Sequence, residues 1–299
     1  MTKKPSSRGT KEQLIKILLS ASGIITILTT VIIIYILLTE SIGFFSEVSI
    51  IDFFTETHWH PTKANKPQFG IWVLLSGTIL TTFIASVVAI PVGVIIAVFL
   101  REYATDGLRR TLKPLLELLA AVPTVVYGYF ALSVLTPFLR TFFPELPFFN
   151  ALSAGIVMGI MIIPIVSSLS EDALNAVPKA LREASYGLGA TRFQTAFKVV
   201  VPAASSGILV SIILGIARAI GETMIVVMAA GSLPQLTFNP MDSVMTITTY
   251  MAETASGDIV FGSIRYKSIF AAGITLFVFT LILNTISFYI RKKYQEKYD

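Results

Sequence analysis

Six long apolar segments separated by polar stretches dominate the sequence. They lie at residues 16–38, 72–99, 114–139, 151–170, 206–230 and 268–290. A helix needs about 20 apolar residues to cross the hydrocarbon core of a bilayer. Each segment reaches that length, so the pattern predicts six transmembrane helices in an all-α fold. Pro91 and Pro164 fall inside two of the segments, where we expect kinks or broken helix ends.

The composition supports a membrane protein and excludes several other classes. Hydrophobic residues make up 54% of the chain and charged residues 14%, whereas soluble domains carry about 25% charged residues. The chain has no cysteine, which excludes disulfide bonds and thiolate metal sites. It also lacks the G-x-x-x-x-G-K-[ST] motif of P-loop ATPases, so any ATP that powers this protein is hydrolysed by another subunit. The sequence indicates no cofactor.

The distribution of lysine and arginine predicts the orientation in the membrane. These residues concentrate in the N-terminal tail, the 101–113 and 171–205 loops and the C-terminal tail. Because cytoplasmic loops are enriched in Lys and Arg, both termini and both loops are predicted to be cytoplasmic. The net charge of +5 then reflects membrane topology rather than nucleic-acid binding. The first segment has a basic flank but no A-x-A cleavage site, which indicates an uncleaved anchor.

The second of these loops carries the pattern of a helix, a glycine turn and a second helix. Four apolar residues recur at i, i+4, i+7 and i+11 and form one stripe, from which Arg182 is absent. The stripe residues are Val177, Leu181, Ala184 and Leu188. Gly187 and Gly189 predict the end of this helix, and Thr191 with Gln194 forms a capping box that starts the next. Such a helix suits a groove of a partner protein; the alternative is a hairpin lying on lipid headgroups without a partner.

A charged pair lies within the fifth apolar segment. Arg218 is near its middle and Glu222 follows four residues later, so both are predicted on one face of one helix. An ionised side chain at that depth costs at least about 2.5 to 3.5 kcal/mol. One interpretation is a self-compensating salt bridge or a clamp between helices. The other is a binding site, in which the planar guanidinium offers paired donors to an oxyanion and the carboxylate orients it.

Two further groups of polar residues have weaker patterns. Pro123 frees backbone carbonyls inside the third segment, and the hydroxyls of Thr124 and Tyr127 can line a polar path there. The alternative for these residues is a packing kink. His58 and His60 have a spacing that can bind metal but lack further ligands nearby, so no metal site is predicted.

The loop from Glu183 to Pro202 resembles a motif of ATP-driven importers. It follows the pattern E-A-A-x3-G-x9-I-x-L-P of the permease subunits of binding-protein-dependent importers, with Ser185 in place of the second alanine. The resemblance implies that this loop docks the ATPase subunits. The implied docking residues are Glu183, Ala184, Ser185, Gly189 and Pro202.

The segment from Arg218 to Thr223 resembles the R-A-x-G-E-T pattern of phosphate-specific permeases of the PstC type. Three other stretches are similar to the same subunits: Trp59-His60-Pro61, Phe69-Gly70-Ile71 and residues 121–128. The resemblance implies that inorganic phosphate is the substrate and that the first helix is peripheral. The implied translocation residues are Arg218, Glu222, Thr223, Thr124 and Tyr127.

The same resemblance implies a type I ABC importer permease fold that has no catalytic residues of its own. Residues 1–70 would form the N-terminal tail, first helix and outer loop, 71–290 the permease core with its docking loop at 177–202, and 291–299 a cytoplasmic tail. The implied partners are a sister permease, two ATPase subunits and an extracytoplasmic phosphate-binding protein, in a bacterial or archaeal cytoplasmic membrane. The alternatives are a permease for another oxyanion, such as sulfate or molybdate, and an ion-coupled secondary carrier, which would predict an inverted repeat.

Overall fold

The structure, a computed structural model, describes residues 7–63 and 67–294. Residues 1–6 and 295–299 of the two predicted tails lie outside the described residues. The α-helices are α1 (Ser7–Phe45), α2 (Ile50–Thr55), α3 (Ile71–Val98), α4 (Asp106–Ala121), α5 (Thr124–Phe130), α6 (Thr136–Arg140), α7 (Ala151–Asn175), α8 (Lys179–Gly187), α9 (Arg192–Thr195), α10 (Val201–Ala203), α11 (Ser205–Ile220), α12 (Met224–Ala229), α13 (Ile247–Ser256) and α14 (Ile264–Tyr294). π-Helical turns cover Phe99–Tyr103, Ala131–Leu135 and Ala196–Val200. Two short antiparallel strands, β1 (Trp59–His60) and β2 (Gln68–Phe69), pair Trp59 with Phe69.

Within the described residues, four helices are long and apolar enough to cross a membrane without a break. They are Glu12–Phe45, Ile71–Tyr103, Ala151–Asn175 and Ile264–Ile290. These correspond to the first, second, fourth and sixth predicted segments, and the all-α membrane fold is confirmed. Pro91 and Pro164 lie inside α3 and α7 without ending either helix, so of the expected kinks or broken ends the broken ends do not occur.

The third and fifth predicted segments are not single helices. Asp106–Ala121 and Thr124–Arg140 meet at 87°, so the segment predicted at 114–139 is a bent pair of helices, long and apolar enough together to form one broken span. Pro123 explains the break, because a proline disfavours helical backbone in the residue before it, and Val122 is extended with ψ 130°. The fifth segment is also divided, since α11 ends at Ile220 and α12 begins at Met224.

The core is built on the close approach of α3 and α7. A Cβ added to Gly155 would come within 2.6 Å of Ile84 Cβ, and one added to Gly159 would come within 2.8 Å of the Ala85 carbonyl oxygen. These glycines therefore let the two backbones meet, as small residues do between membrane helices. Helix α11 packs against α7 and α14, whereas α1 contacts the rest of the chain mainly along α14.

Aromatic side chains close the end of the bundle at which α7 begins. Trp59 is buried and meets Phe53, Phe69 and Tyr250 edge to face, with ring centroids 4.8 to 6.4 Å apart. Burial raises the pKa of the Tyr250 hydroxyl, which shares a hydrogen bond of 2.6 Å with Ser268 Oγ. The neighbouring histidines belong to no group of three possible metal ligands in the described part of the chain.

Candidate functional site

The charged pair of the fifth segment lies at a helix break. Arg218 occupies the last turn of α11, Gly221 caps that helix, and Glu222 stands in the gap before α12 begins at Met224. The prediction that both side chains project from one continuous helix is therefore wrong. Broken membrane helices leave polar backbone groups that must be satisfied locally, and such breaks are tolerated where they line a cavity or are buried in protein.

Glu222 holds this break together with its side chain. Its Oε2 accepts a hydrogen bond of 2.5 Å from Arg218 Nη1. Its Oε1 accepts from the backbone N–H groups of Met224 (3.1 Å) and Ile225 (3.4 Å), so the carboxylate also caps α12. The Glu222 side chain is 2% exposed and the Arg218 side chain 41% exposed. One partner is thus fixed inside the protein while the other reaches open space.

This arrangement leaves the guanidinium able to bind an anion. A guanidinium has five N–H donors, of which Glu222 takes one, and Arg218 Nη2 has a weak contact of 3.7 Å with Met161 Sδ. The remaining N–H groups can donate paired hydrogen bonds to two oxygens of an oxyanion, the geometry that arginine favours. Glu222, committed to Arg218 and to two backbone donors, orients the guanidinium.

Thr124 and Tyr127 lie on α5, which contacts α12, the helix that follows Glu222. Helix α5 packs on α12, and a Cβ on Gly128 would lie 3.2 Å from the Met224 carbonyl oxygen. Tyr127 is buried, and its hydroxyl donates to the Leu119 carbonyl (2.7 Å), which ties α5 to α4 across the break at Pro123. This bond favours the packing interpretation for Tyr127. Thr124 is half-buried at the first turn of α5.

Thr223 follows Glu222 in the gap between α11 and α12. It is half-buried, and its Oγ1 lies 3.5 Å from the Gly221 carbonyl oxygen, at the limit of a hydrogen bond. The structure therefore groups Arg218, Glu222 and Thr223 within one break.

The loop predicted to dock the ATPase subunits folds as the predicted helix, turn and helix. Helix α8 follows Pro178, and Gly189 adopts a left-handed backbone with φ +82°. The predicted capping box is confirmed: Gln194 N donates to Thr191 Oγ1 (3.3 Å), and Thr191 N donates to Gln194 Oε1 (2.9 Å).

The predicted apolar stripe is divided between two environments, since Val177 is buried and Leu181 packs on the core, whereas Ala184 is exposed. Arg182 and Ser185 are the buried residues of α8, whereas Leu188 is 90% exposed. Ser185 Oγ shares a hydrogen bond of 2.9 Å with Thr195 Oγ1 and joins the two helices of the loop. Apolar periodicity identifies residues on one face of a helix but not which face the protein covers. In α8 the covered face is the one that carries the buried Arg182.

The outer face of the loop contains most of the predicted docking residues. Glu183, Ala184, Gly189 and Pro202 are exposed. Three large apolar side chains are exposed beside them: Leu188, Phe193 and Phe197. The ring centroids of Phe193 and Phe197 lie 4.6 Å apart. Exposed apolar side chains on a short helical segment are the kind of surface that inserts into a partner's groove.

Arg182 connects the docking loop to two membrane helices, a role that the sequence pattern did not reveal. It donates to the carbonyl groups of Val177 (2.6 Å) and Leu174 (2.7 Å) at the end of α7. Its Nε and Nη2 both lie 3.2 Å from Glu102 Oε1, in the π-helical turn after α3. Glu102 is 80 residues away in sequence, so no local spacing could have shown the pair.

A second buried carboxylate lies at the same end of the bundle. Glu171 on α7 is fully buried and pairs with Arg109 and, at 3.2 Å, with Lys113 of α4. Lys113 also lies 3.5 Å from Asp172. A glutamate near the end of an apolar helix was the one sequence signal for this cluster. These ion pairs fasten the first half of the broken third segment to α7.

We expect Arg182→Gln to destabilise the protein, because it leaves Glu102 buried without its charged partner. Breaking a buried ion pair in this way costs about 3 to 5 kcal/mol. The test is thermal unfolding of the purified protein, with Arg192→Gln on exposed α9 as the matched control. Adding Glu102→Gln to Arg182→Gln should recover part of the loss. Equal melting temperatures for the Arg182 and Arg192 variants would contradict the expectation.

Similar sequences of known proteins are those of importer permeases. Residues 89–296 match the family described as binding-protein-dependent transport system inner membrane component. The probable ABC transporter permease protein YqgH of Bacillus subtilis is 37% identical over 244 residues, covering 80% of this chain and 78% of that protein. The phosphate transport system permease protein PstC of Haemophilus influenzae is 33% identical over 266 residues, covering 82% of each chain.

Solved structures share the fold. A chain of a bacterial ABC transporter involved in the import of the acidic polysaccharide alginate matches with a TM-score of 0.63 and 17% identity, covering 96% of this chain and 99% of its own. A chain of the inward-facing MetNI methionine ABC transporter matches with a TM-score of 0.56 and 19% identity, covering 75% and 94%. The family resemblance of the sequence is confirmed. The chain therefore belongs to the binding-protein-dependent transport system inner membrane components and is a permease subunit of an ABC importer.

Proposed function

We propose that this permease subunit carries inorganic phosphate into the cell by alternating access. The observation that carries the proposal is the Arg218–Glu222 pair at the break between α11 and α12, where a fixed carboxylate orients a half-exposed guanidinium. Relatives named phosphate transport system permease protein PstC support the choice of anion, as in Haemophilus influenzae and, at 32% identity, Pasteurella multocida.

The geometry of the site suits a tetrahedral oxyanion. Arg218 supplies a permanent positive charge and paired donors, and Thr223 adds a hydroxyl in the same gap. Glu222 remains bonded to Met224 N and Ile225 N, so it stays in place when the guanidinium turns toward a substrate. Thr124 belongs to the pathway as the first residue of α5, whereas Tyr127 contributes by holding the α4–α5 break.

Energy would enter through the docking loop at residues 177–202. Two ATPase subunits would bind its exposed face, with Glu183, Ala184, Gly189 and Pro202 in contact and Ser185 supporting them from inside. Arg182 ties α8 to the ends of α3 and α7, so closure of the ATPases pulls directly on the permease core, residues 71–290. The sister permease would complete the pathway, a phosphate-binding protein would deliver the anion from outside, and both termini would be cytoplasmic.

An ATP requirement distinguishes this function from that of an ion-coupled carrier. The permease with its partner subunits is reconstituted in vesicles, with the binding protein and radiolabelled phosphate on the outside. We expect uptake when ATP is enclosed and no uptake driven by a proton or sodium gradient alone. Gradient-driven uptake without ATP would overturn the proposal in favour of a secondary carrier.

A further inference from the structure

A buried segment of the chain forms hydrogen bonds to the residues that flank α12 on both sides. At one end, Thr248 Oγ1 donates to the carbonyl of Glu222 with a distance of 2.7 Å. At the other end, Val244 N donates to the carbonyl of Ala230 with a distance of 3.0 Å. The helix that follows the break is thus held by one neighbouring strip of chain, residues 244–248.

This strip is itself rigidly held. Thr246, Thr248 and Thr249 are buried and share hydroxyl hydrogen bonds of 2.9 and 3.0 Å. Ile247 N donates to Thr78 Oγ1 of α3 with a distance of 3.1 Å. A Cβ on Gly77 would lie 2.4 Å from the Met245 carbonyl oxygen, so the strip lies directly on α3. The hydroxyl of Thr248 therefore has a fixed position.

The Glu222 carbonyl is the group that such a donor must satisfy. In an unbroken helix it would accept from the N–H four residues later, but the chain breaks here and the carbonyl turns to Thr248. The same residue holds Arg218 through its side chain. We propose that Thr248 is a positioning residue for the Arg218–Glu222 site and that α13 links this site to the surface beyond the start of α7. The proposal rests on the function proposed above.

The path of α13 supports the second half of the proposal. Residues 240 and 242 accept hydrogen bonds from Leu152 N and Ala151 N at the start of α7, whereas the docking loop follows the end of α7. Helix α13 has Thr248 in its first turn and ends at Ser256, and its Tyr250 packs against Trp59 at the end of the bundle where α7 begins, with ring centroids 4.8 Å apart. Ten residues of helix span about 15 Å, so a displacement of the far end of α13 reaches the anion site through one rigid element.

The test uses the natural absence of cysteine from this chain. Thr223→Cys introduces a single thiol beside Glu222, and its rate of labelling by a small anionic methanethiosulfonate reports how firmly the break is held. The rate is measured in the assembled complex with Thr248 intact and as Thr248→Val or Thr248→Ser. The matched control is Thr254→Val, which removes another buried hydroxyl from α13.

We expect Thr248→Val to speed labelling about fivefold, the factor that the loss of one ordinary hydrogen bond gives. Thr248→Ser keeps the hydroxyl, so it should label at the same rate as the chain with Thr248 intact. Thr254→Val should also label at that rate. In the cysteine-free chain, Thr248→Val should lower the maximal rate of phosphate uptake by a similar factor. If Thr248→Val fails to assemble, Thr248→Ala makes the same comparison.

Equal labelling and equal uptake for the Thr248 and Thr254 variants would overturn the proposal. Failure of the proposed function has a different signature, because the complex with Thr248 intact would then carry no phosphate. Labelling would still measure whether Thr248 positions the break.

Discussion

Arg218→Gln will abolish phosphate uptake while the permease stays inserted and assembled. Hydrogen bonds to charged groups contribute about 1.5 to 3 kcal/mol each, which corresponds to a loss of about 10- to 150-fold for a single bond. The loss here is larger, because the anion would also face the buried carboxylate of Glu222 without its counterion. Glu222 keeps its two backbone donors, Met224 N and Ile225 N, so the break should survive.

The measurement is uptake of radiolabelled phosphate, normalised to the amount of permease that co-purifies with the ATPase subunits. Arg140→Gln is the matched control, because Arg140 is exposed at the end of α6. Arg218→Lys keeps the charge without the planar fork, and its uptake should fall between the two. Normal uptake by a normally inserted Arg218→Gln permease would show that the substrate does not use this site.

Gly189→Val will weaken docking of the ATPase subunits and thereby reduce transport. Gly189 has φ +82°, a region where a β-branched residue is a strong outlier, with a cost of about 1 to 2 kcal/mol for an ordinary L-residue. A Cβ at this position meets nothing within 4 Å in the described part of the chain. The cost therefore comes from the backbone, and it changes the turn between α8 and α9 rather than the core.

Gly187→Val is the matched control for this prediction. Gly187 is also without neighbours within 4 Å of an added Cβ, but it has no left-handed backbone. We expect the Gly189 variant to lose co-purification of the ATPase subunits and to reduce uptake at least about tenfold, which 1.4 kcal/mol of lost docking energy would produce. Equal co-purification and equal uptake in the two variants would mean that the turn does not set the docking geometry.

The positions of the apolar segments could be predicted from the sequence, but apolar length alone could not show where two of them break. Apolar length alone identifies the segments, and it continues without interruption across Val122, Pro123 and Gly221. The signal for the first break was present in Pro123, since it restricts the residue before it. At Pro91 and Pro164, where kinks or broken helix ends were expected, α3 and α7 continue as helices.

The candidate site was only partly visible for a similar reason. Arg218 and Glu222 lie four residues apart, so their pairing followed from local spacing. The partners that give the pair its geometry lie far away in sequence: Thr248 at the carbonyl of Glu222, and Met161 beside the guanidinium. The buried face of α8 depends in the same way on Glu102, which Arg182 reaches across 80 residues.

The central claim is that this permease passes inorganic phosphate at the expense of ATP. The most direct test is ATP-dependent uptake of radiolabelled phosphate into cells that lack other phosphate carriers, with this chain and its partner subunits supplied. Sulfate, molybdate and arsenate are added in turn as competitors. We expect arsenate alone to inhibit uptake, because it has the same shape and charge as phosphate. ATP-dependent uptake of sulfate or molybdate without uptake of phosphate would show that phosphate is not the substrate.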